Sequence, residues 1–250
     1  MSKTVEELIK EFKTSSNFTP GDPNSFQIPL GKYSLPGKND PNAYLQFLDI
    51  NDLTKKFAVV CPGNGGLCTA LLAKGVKSVT ALEPRSQFER AITSISGLCM
   101  LATNSTFNVV TSLAPEDKFD YIIWPEGLEQ TVTPLELFNK VYDVLTPGGK
   151  LFIEVTHGYQ NSDTPSGNSW RPTQATFKKV LLDKIKYQSI NITPGRLELR
   201  NIYTITKENK ILPPVTTIET KQEIKDNIVN NQVAITTPTK KKGGRPKKIK

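Results

Sequence analysis

Val59-Val60-Cys61-Pro62-Gly63-Asn64-Gly65-Gly66, with Val79-Thr80-Ala81-Leu82-Glu83 downstream, is the stretch that decides the fold. Phe57 to Val60 is a short apolar run of the kind a parallel strand covered on both faces requires, and it runs into a turn rich in glycine. Gly63, Gly65 and Gly66 permit positive φ and carry no Cβ, so backbone N–H groups and a helix N-terminus can come close to a polar ligand. Leu67 to Lys74 follows with helical spacing of Leu67, Ala70 and Leu71, and Gly75 sits where a C-cap belongs. Glu83 then ends the second strand, at about the 20 residues from the turn at which dinucleotide-type folds place a carboxylate for the ribose hydroxyls. Strand, glycine turn, helix and acid-ended strand in this order predict a cofactor site. The third glycine of a G-x-G-x-x-G fingerprint falls on Cys68, which weakens a nicotinamide or flavin assignment.

Downstream, Phe107 to Val110 and Phe119-Asp120-Tyr121-Ile122-Ile123-Trp124 read as further strands and Pro134 to Leu145 as a helix. Leu145-Thr146-Pro147-Gly148-Gly149-Lys150-Leu151-Phe152-Ile153 reads as a helix stop running into a fifth strand. With these motifs in this order, residues 44–206 resemble the class I, Rossmann-like S-adenosylmethionine-dependent methyltransferases. The resemblance implies an α/β three-layer sandwich whose seven-stranded, mostly parallel sheet is closed by an antiparallel C-terminal hairpin. It implies S-adenosylmethionine as cofactor, with Gly63, Asn64, Gly65 and Gly66 against its methionine and ribose portion. Glu83 and the adjoining Pro84 would hold the ribose, Ser112 and Leu113 would lie near the adenine, and Trp124 would border the methyl-transfer cavity with Pro125 and Glu126. Two positions depart from the family pattern: Cys61 stands where an acid often opens the glycine motif, and Ser112 where an acid often reads the adenine amino group.

The 250 residues exceed one usual domain but include stretches that cannot pack, so one domain with appendages is expected. Residues 1–43 combine a helix over Val5 to Phe12 with a Pro, Gly, Asn and Ser-rich arm, read either as a lid or as a loosely attached segment. Residues 44–207 form the methyltransferase-like domain. Within it, Pro172 to Lys184 reads as a helix, and Tyr187 to Thr193 and Arg196 to Thr206 as a hairpin turning at Pro194-Gly195. Residues 208–239 have a linker's composition.

Residues 240–250 carry almost the whole formal charge of +8: without their seven Lys and Arg, 25 basic residues face 24 acidic ones. Lys242, Gly244, Arg245, Pro246, Lys247 and Lys248 resemble an AT-hook, whose Gly-Arg-Pro core follows an AT-rich minor groove while lysines contact phosphates. Gly243 stands where that motif usually has its leading arginine. A polybasic tail for any polyanion, or a nuclear address, is the competing interpretation. DNA is thus the expected partner, and no apolar run is long enough for a membrane span.

Cys61, Cys68 and Cys99 have no paired metal-type spacing, and their odd number without a secretory segment predicts buried thiols in an intracellular protein, nuclear in a eukaryote or acting in the host cell if viral. No metal site is expected. Candidate proton acceptors are Glu126 and Glu129, read equally as a solvated loop, and His157, the single histidine, read also as a locally satisfied side chain. Trp124-Pro125-Glu126-Gly127 shares only its proline with the motif of adenine-N6 and cytosine-N4 enzymes, and Cys61-Pro62 reverses the Pro-Cys order of cytosine-C5 enzymes. The expectation is a methyltransferase with unassigned acceptor, associated with DNA through its tail; the alternative is a degenerate scaffold serving DNA binding or structure.

Overall fold

The computed structural model describes residues 3–15, 25–128, 131, 133–157, 171–195 and 200–209. The linker and basic tail read from the sequence, and Glu129, lie outside the described residues.

Four short strands build the parallel part of the sheet: the mostly buried β3 (Phe57–Val60), β4 (Val79–Leu82) and β6 (Phe119–Trp124), and the more exposed edge strand β5 (Asn108–Val110). The long β7 (Leu145–Thr156) pairs parallel to β6, and β8 (Tyr187–Pro194) and β9 (Arg200–Lys207) close the sheet antiparallel. The strand order is β5-β4-β3-β6-β7-β9-β8. The order reverses direction at β3, so the carboxyl ends of β3, β4 and β6 border a crevice at a topological switch point.

The helices follow from apolar spacing. In α4 (Ser86–Thr103), Ile92, Ile95, Leu98 and Cys99 form one buried stripe, and Asn104 at φ 57 ends the helix. The α3 helix (Gly66–Ala73) is apolar all round and buried over Gly66 to Leu71. With α1 (Val5–Thr14) and α2 (Pro41–Gln46) it covers one face of the sheet, while α5 (Pro134–Asp143) and α6 (Gln174–Val180) cover the other. Alternation along β6 divides these cores: Tyr121 and Ile123 face the first, Ile122 and Trp124 the second.

Two small devices hold the amino edge. Asp120 accepts from the Lys56 N–H (3.1 Å) and from Thr146 Oγ1 (3.1 Å), which ties β3, β6 and β7 together where the register shifts after Phe119. Lys207 Nζ donates to the carbonyls of Tyr142 (2.8 Å) and Leu145 (2.8 Å), satisfying acceptors at the end of α5 with a cation, as the helix dipole favours.

The N-terminal arm is built into the first core. Phe26, Ile28, Leu30 and Leu35 are buried in the cluster that contains Leu67 and Leu71. A two-stranded ribbon of β1 (Ile28–Leu30) and β2 (Tyr33–Leu35), followed by α2 capped by Asp40 with Pro41 in its first turn, carries the chain across. Among the described residues no helix is long and apolar enough to cross a membrane.

Candidate functional site

The β3 strand delivers its turn under strain. Cys61 is buried at φ 49, a left-handed conformation costly for a side chain other than glycine, and such outliers cluster at functional turns. Gly127 makes the room: a Cβ there would stand 2.8 Å from the Cys61 Cβ. Gly63 (φ 58) and Gly65 (φ 80) continue the turn, and Gly65 becomes the N-cap of α3.

The glycine turn is engaged by the chain's own arm. Asn64 Oδ1 accepts from the Gly66 N–H (3.2 Å) and the Phe26 N–H (3.3 Å), while its Nδ2 donates to the Phe26 carbonyl. A Cβ on Gly66 would lie 2.5 Å from the Gln27 carbonyl oxygen. Gly66 is therefore needed here for the approach of the arm.

Glu83 is fully buried, and both its oxygens are claimed by Arg85. Oε1 accepts from the Arg85 backbone N–H (3.1 Å) and Nε (2.7 Å), and Oε2 from Nη2 (2.8 Å). Burial works against the guanidinium charge, but the bonds to Glu83 and the proximity of Cys61, Glu83 and Glu126 outweigh it, so the Arg85 pKa is raised. The Arg85 guanidinium also lies 4.4 Å from the Phe88 ring centre. Glu126 is buried beside the turn, its Oε1 3.2 Å from where a Gly63 Cβ would sit. Thus Gly63, Glu83, Arg85, Cys61 and Glu126 meet at the carboxyl ends of β3, β4 and β6. Arg85 was absent from the sequence reading; its spacing of two from a buried acid was the available signal.

A cavity of about 210 Å³ opens next to this cluster, where Leu82, Pro84, Ser112 and Leu113 face the start of α5 through Thr133 and Leu137. It brings together Pro84, Ser112 and Leu113. Two expected residues, Trp124 and His157, lie elsewhere. Trp124 is fully buried in the second core with Phe138 and Val141, because the strand's alternation turns it toward α5, and its indole N–H has no acceptor among the described residues. His157 is buried: Nδ1 lies 2.8 Å from the Pro172 carbonyl and Nε2 2.7 Å from Tyr203 Oη. That pattern fits a neutral Nδ1–H tautomer accepting from the tyrosine. Burial lowers its pKa, partly opposed by the Pro172 carbonyl. Both ring nitrogens are engaged in holding β7, β9 and the 171–173 segment, the locally satisfied alternative of the sequence reading. Among the described residues no group of three or more His, Cys, Asp or Glu could hold a metal ion. Burial, with Cys99 nearby, pushes the Cys68 thiol well above its usual range.

No protein-family model matches the chain, and no curated protein matches it in sequence. Solved structures match its architecture. An S-adenosylmethionine-dependent methyltransferase from Aquifex aeolicus superposes with a TM-score of 0.52 at 14% identity, over 82% of this chain and 99% of its own. The fold is that of a Rossmann-like methyltransferase. The mitomycin 7-O-methyltransferase MmcR matches with a TM-score of 0.51 at 14% identity, over 68% of this chain and 55% of its own length. An O-methyltransferase family protein from Burkholderia thailandensis gives 0.51 at 10% identity, over 68% and 56%. The chain therefore spans little more than half of these last two proteins.

The residues at the crevice fit an S-adenosyl group in part. The cavity beside Ser112 and Leu113, about 210 Å³, has room for a ring system, and Glu83 is a buried acid directly after β4. For ribose hydroxyls to reach Glu83, the Arg85 guanidinium has to give up at least one of its bonds.

Proposed function

We propose that the chain is an S-adenosylmethionine-dependent methyltransferase whose cofactor runs along the carboxyl edge, from the turn at Gly63 to the cavity at Pro84, Ser112 and Leu113. The observation that carries this reading is the buried Glu83 at the switch point, between a strained glycine turn and a ring-sized cavity. The bound group would supply a methyl activated on a sulfonium. The chain's own contribution would be to orient it, to keep water out of the crevice with the arm at Phe26, and to hold an accepted proton at Glu126.

A second reading, a scaffold that has lost catalysis, is favoured by one observation: Arg85 already satisfies the acid intended for ribose. Titration calorimetry with S-adenosylmethionine and S-adenosylhomocysteine separates the two. On the enzyme reading the wild type binds both, Leu113→Trp abolishes binding by filling the cavity, and Arg85→Gln binds several-fold more tightly because a guanidinium no longer competes. If neither ligand binds wild type or Arg85→Gln at millimolar concentration while both proteins are folded, the scaffold reading stands.

We also propose DNA association through Lys242, Gly244, Arg245, Pro246, Lys247 and Lys248. Support comes from the concentration of positive charge there and from the Gly-Arg-Pro core. Binding to AT-rich and GC-rich duplexes at two salt concentrations, with and without residues 240–250, tests it. Salt-sensitive binding that vanishes with the tail supports the contact, and a preference for AT-rich duplex supports the minor-groove mode.

A further inference from the structure

We propose that the cavity between α2 and the end of β8 is a second small-molecule site, taking a flat, mainly apolar molecule without negative charge. Its role as the seat of the methyl acceptor rests on the methyltransferase reading; its ligand chemistry does not.

The cavity measures about 600 Å³, within the range of about 300 to 1,000 Å³ typical of small-molecule sites. Tyr44 and Ile202, both buried, are walls of it, and Pro194 and Ala43 add further apolar surface. Phe47 lies at the mouth with 65% of its surface exposed. A lone exposed phenylalanine is ordinary surface, but a ring at the lip of an apolar cavity extends the same surface outward. Among the described residues of the lining, Asp40 is the only ionisable side chain and none is a cation. A phosphate or carboxylate would lose its hydration there without gaining a counter-charge, whereas an uncharged ring would lose nothing. This chemistry separates the site from the DNA contact of the basic tail: the molecule seated here is not held by its phosphates.

The position is also specific. Pro194 pairs with Asn201, and Thr156 with Arg200, so the end of β8 and the start of β9 stand at the edge where β7 ends, the same edge to which β3 and β4 deliver the glycine turn and Glu83. One residue separates the two places. The Phe26 ring meets the Tyr44 ring edge-on, with centres 5.4 Å apart, and the Phe26 backbone is the segment that Asn64 binds at the glycine turn.

The test uses the full-length chain and three probes that share a ring but differ in charge: indole, tryptamine and indole-3-acetate, titrated by ligand-observed NMR. Indole and tryptamine are expected to bind, with indole-3-acetate about fivefold weaker or worse. Ala43→Trp, at an exposed helix position on the wall, should weaken indole by at least about tenfold with the circular dichroism spectrum and melting temperature retained. Asp40→Asn, which preserves the helix cap, should bring indole-3-acetate close to indole. The assignment is overturned if no probe binds at millimolar concentration, if Ala43→Trp leaves indole binding intact, or if excess duplex DNA displaces bound indole. Calorimetry with S-adenosylmethionine is read separately, so loss of cofactor binding with indole binding retained removes the methyltransferase reading and leaves this site in place.

Discussion

The two ends of the stretch of carboxyl edge that runs from β3 to the β8–β9 hairpin are finished in opposite ways. At the glycine turn the chain supplies its own occupants, with Arg85 on Glu83 and the Phe26 backbone on Asn64. Beside the hairpin it leaves about 600 Å³ open between Tyr44, Phe47 and Ile202. Chemistry dictates the difference. A buried carboxylate that lost its partner would cost several kcal/mol, so Glu83 must be paired whether or not a ligand is present. An apolar wall facing water costs far less per residue and can wait. In this chain the polar groups at the glycine turn are therefore closed by protein, while the apolar wall near the hairpin stands open.

The contrast breaks most visibly at the ion pair. Glu83→Ala strands a guanidinium whose side chain is only 12% exposed and is expected to cost about 3 to 5 kcal/mol in urea unfolding, whereas Glu83→Leu with Arg85→Met should regain most of it. A cost below about 1 kcal/mol for the single change would mean that the pair is solvated rather than structural.

Gly66→Ala ranks next. The new Cβ would press on the Gln27 carbonyl at 2.5 Å and the Phe26 Cβ at 2.6 Å, and overpacking of this kind costs about 1 to 3 kcal/mol. Faster hydrogen exchange at the Gln27 and Asn39 amides, which bond to the Asn39 and Ser25 carbonyls, should accompany it. Unchanged exchange would show that the arm tolerates the methyl group where it is.

Between the two ends, His157 gives a smaller, pH-dependent effect. Its folded pKa lies below the ordinary 6.5, so the unfolded chain takes up the proton first. Its stabilising contribution is complete above that value and is lost as pH falls from 6.5 toward the folded value. Urea midpoints from pH 8 to 5 should drop less for His157→Gln than for wild type. Tyr203→Phe, which removes the hydroxyl from Nε2, should cost about 1 kcal/mol at neutral pH. Equal pH slopes for wild type and His157→Gln would exclude this account.

At the open end stability should scarcely change. Phe47→Ser is expected to stay within about 0.5 kcal/mol of wild type, because the ring is mostly in water already. A larger loss would place Phe47 in the core and contradict an open cavity.

Much of the sheet was legible in the sequence because its central strands are buried on both faces and read as apolar runs. Phe57–Val60 and Phe119–Trp124 have the same bounds in the structure, and the hairpin appears with its second strand beginning at Arg200. The α2 helix was not legible: six residues starting at Asp40-Pro41 are too few for a period to show. Glu83, Gly63 and Gly65 could be placed at the switch point because the turn and strand end are local features. Arg85 over Glu83, Asn64 bound to Phe26, and Trp124 turned into the second core depend on which way a side chain points after the strand ends. That direction is set by tertiary packing, as is the pairing of His157 with Tyr203 across 46 residues.

Phe26 gives the arm a thermodynamic role. Its backbone bonds to Asn64 and its ring rests on Tyr44, so a ligand that displaces it from either side alters the free energy of binding on the other. Linkage makes that influence symmetric: the factor by which occupancy near Tyr44 changes affinity at the glycine turn equals the factor in the opposite direction. A single double-titration would measure it, and its sign would tell whether the two ligands load in concert or exclude one another.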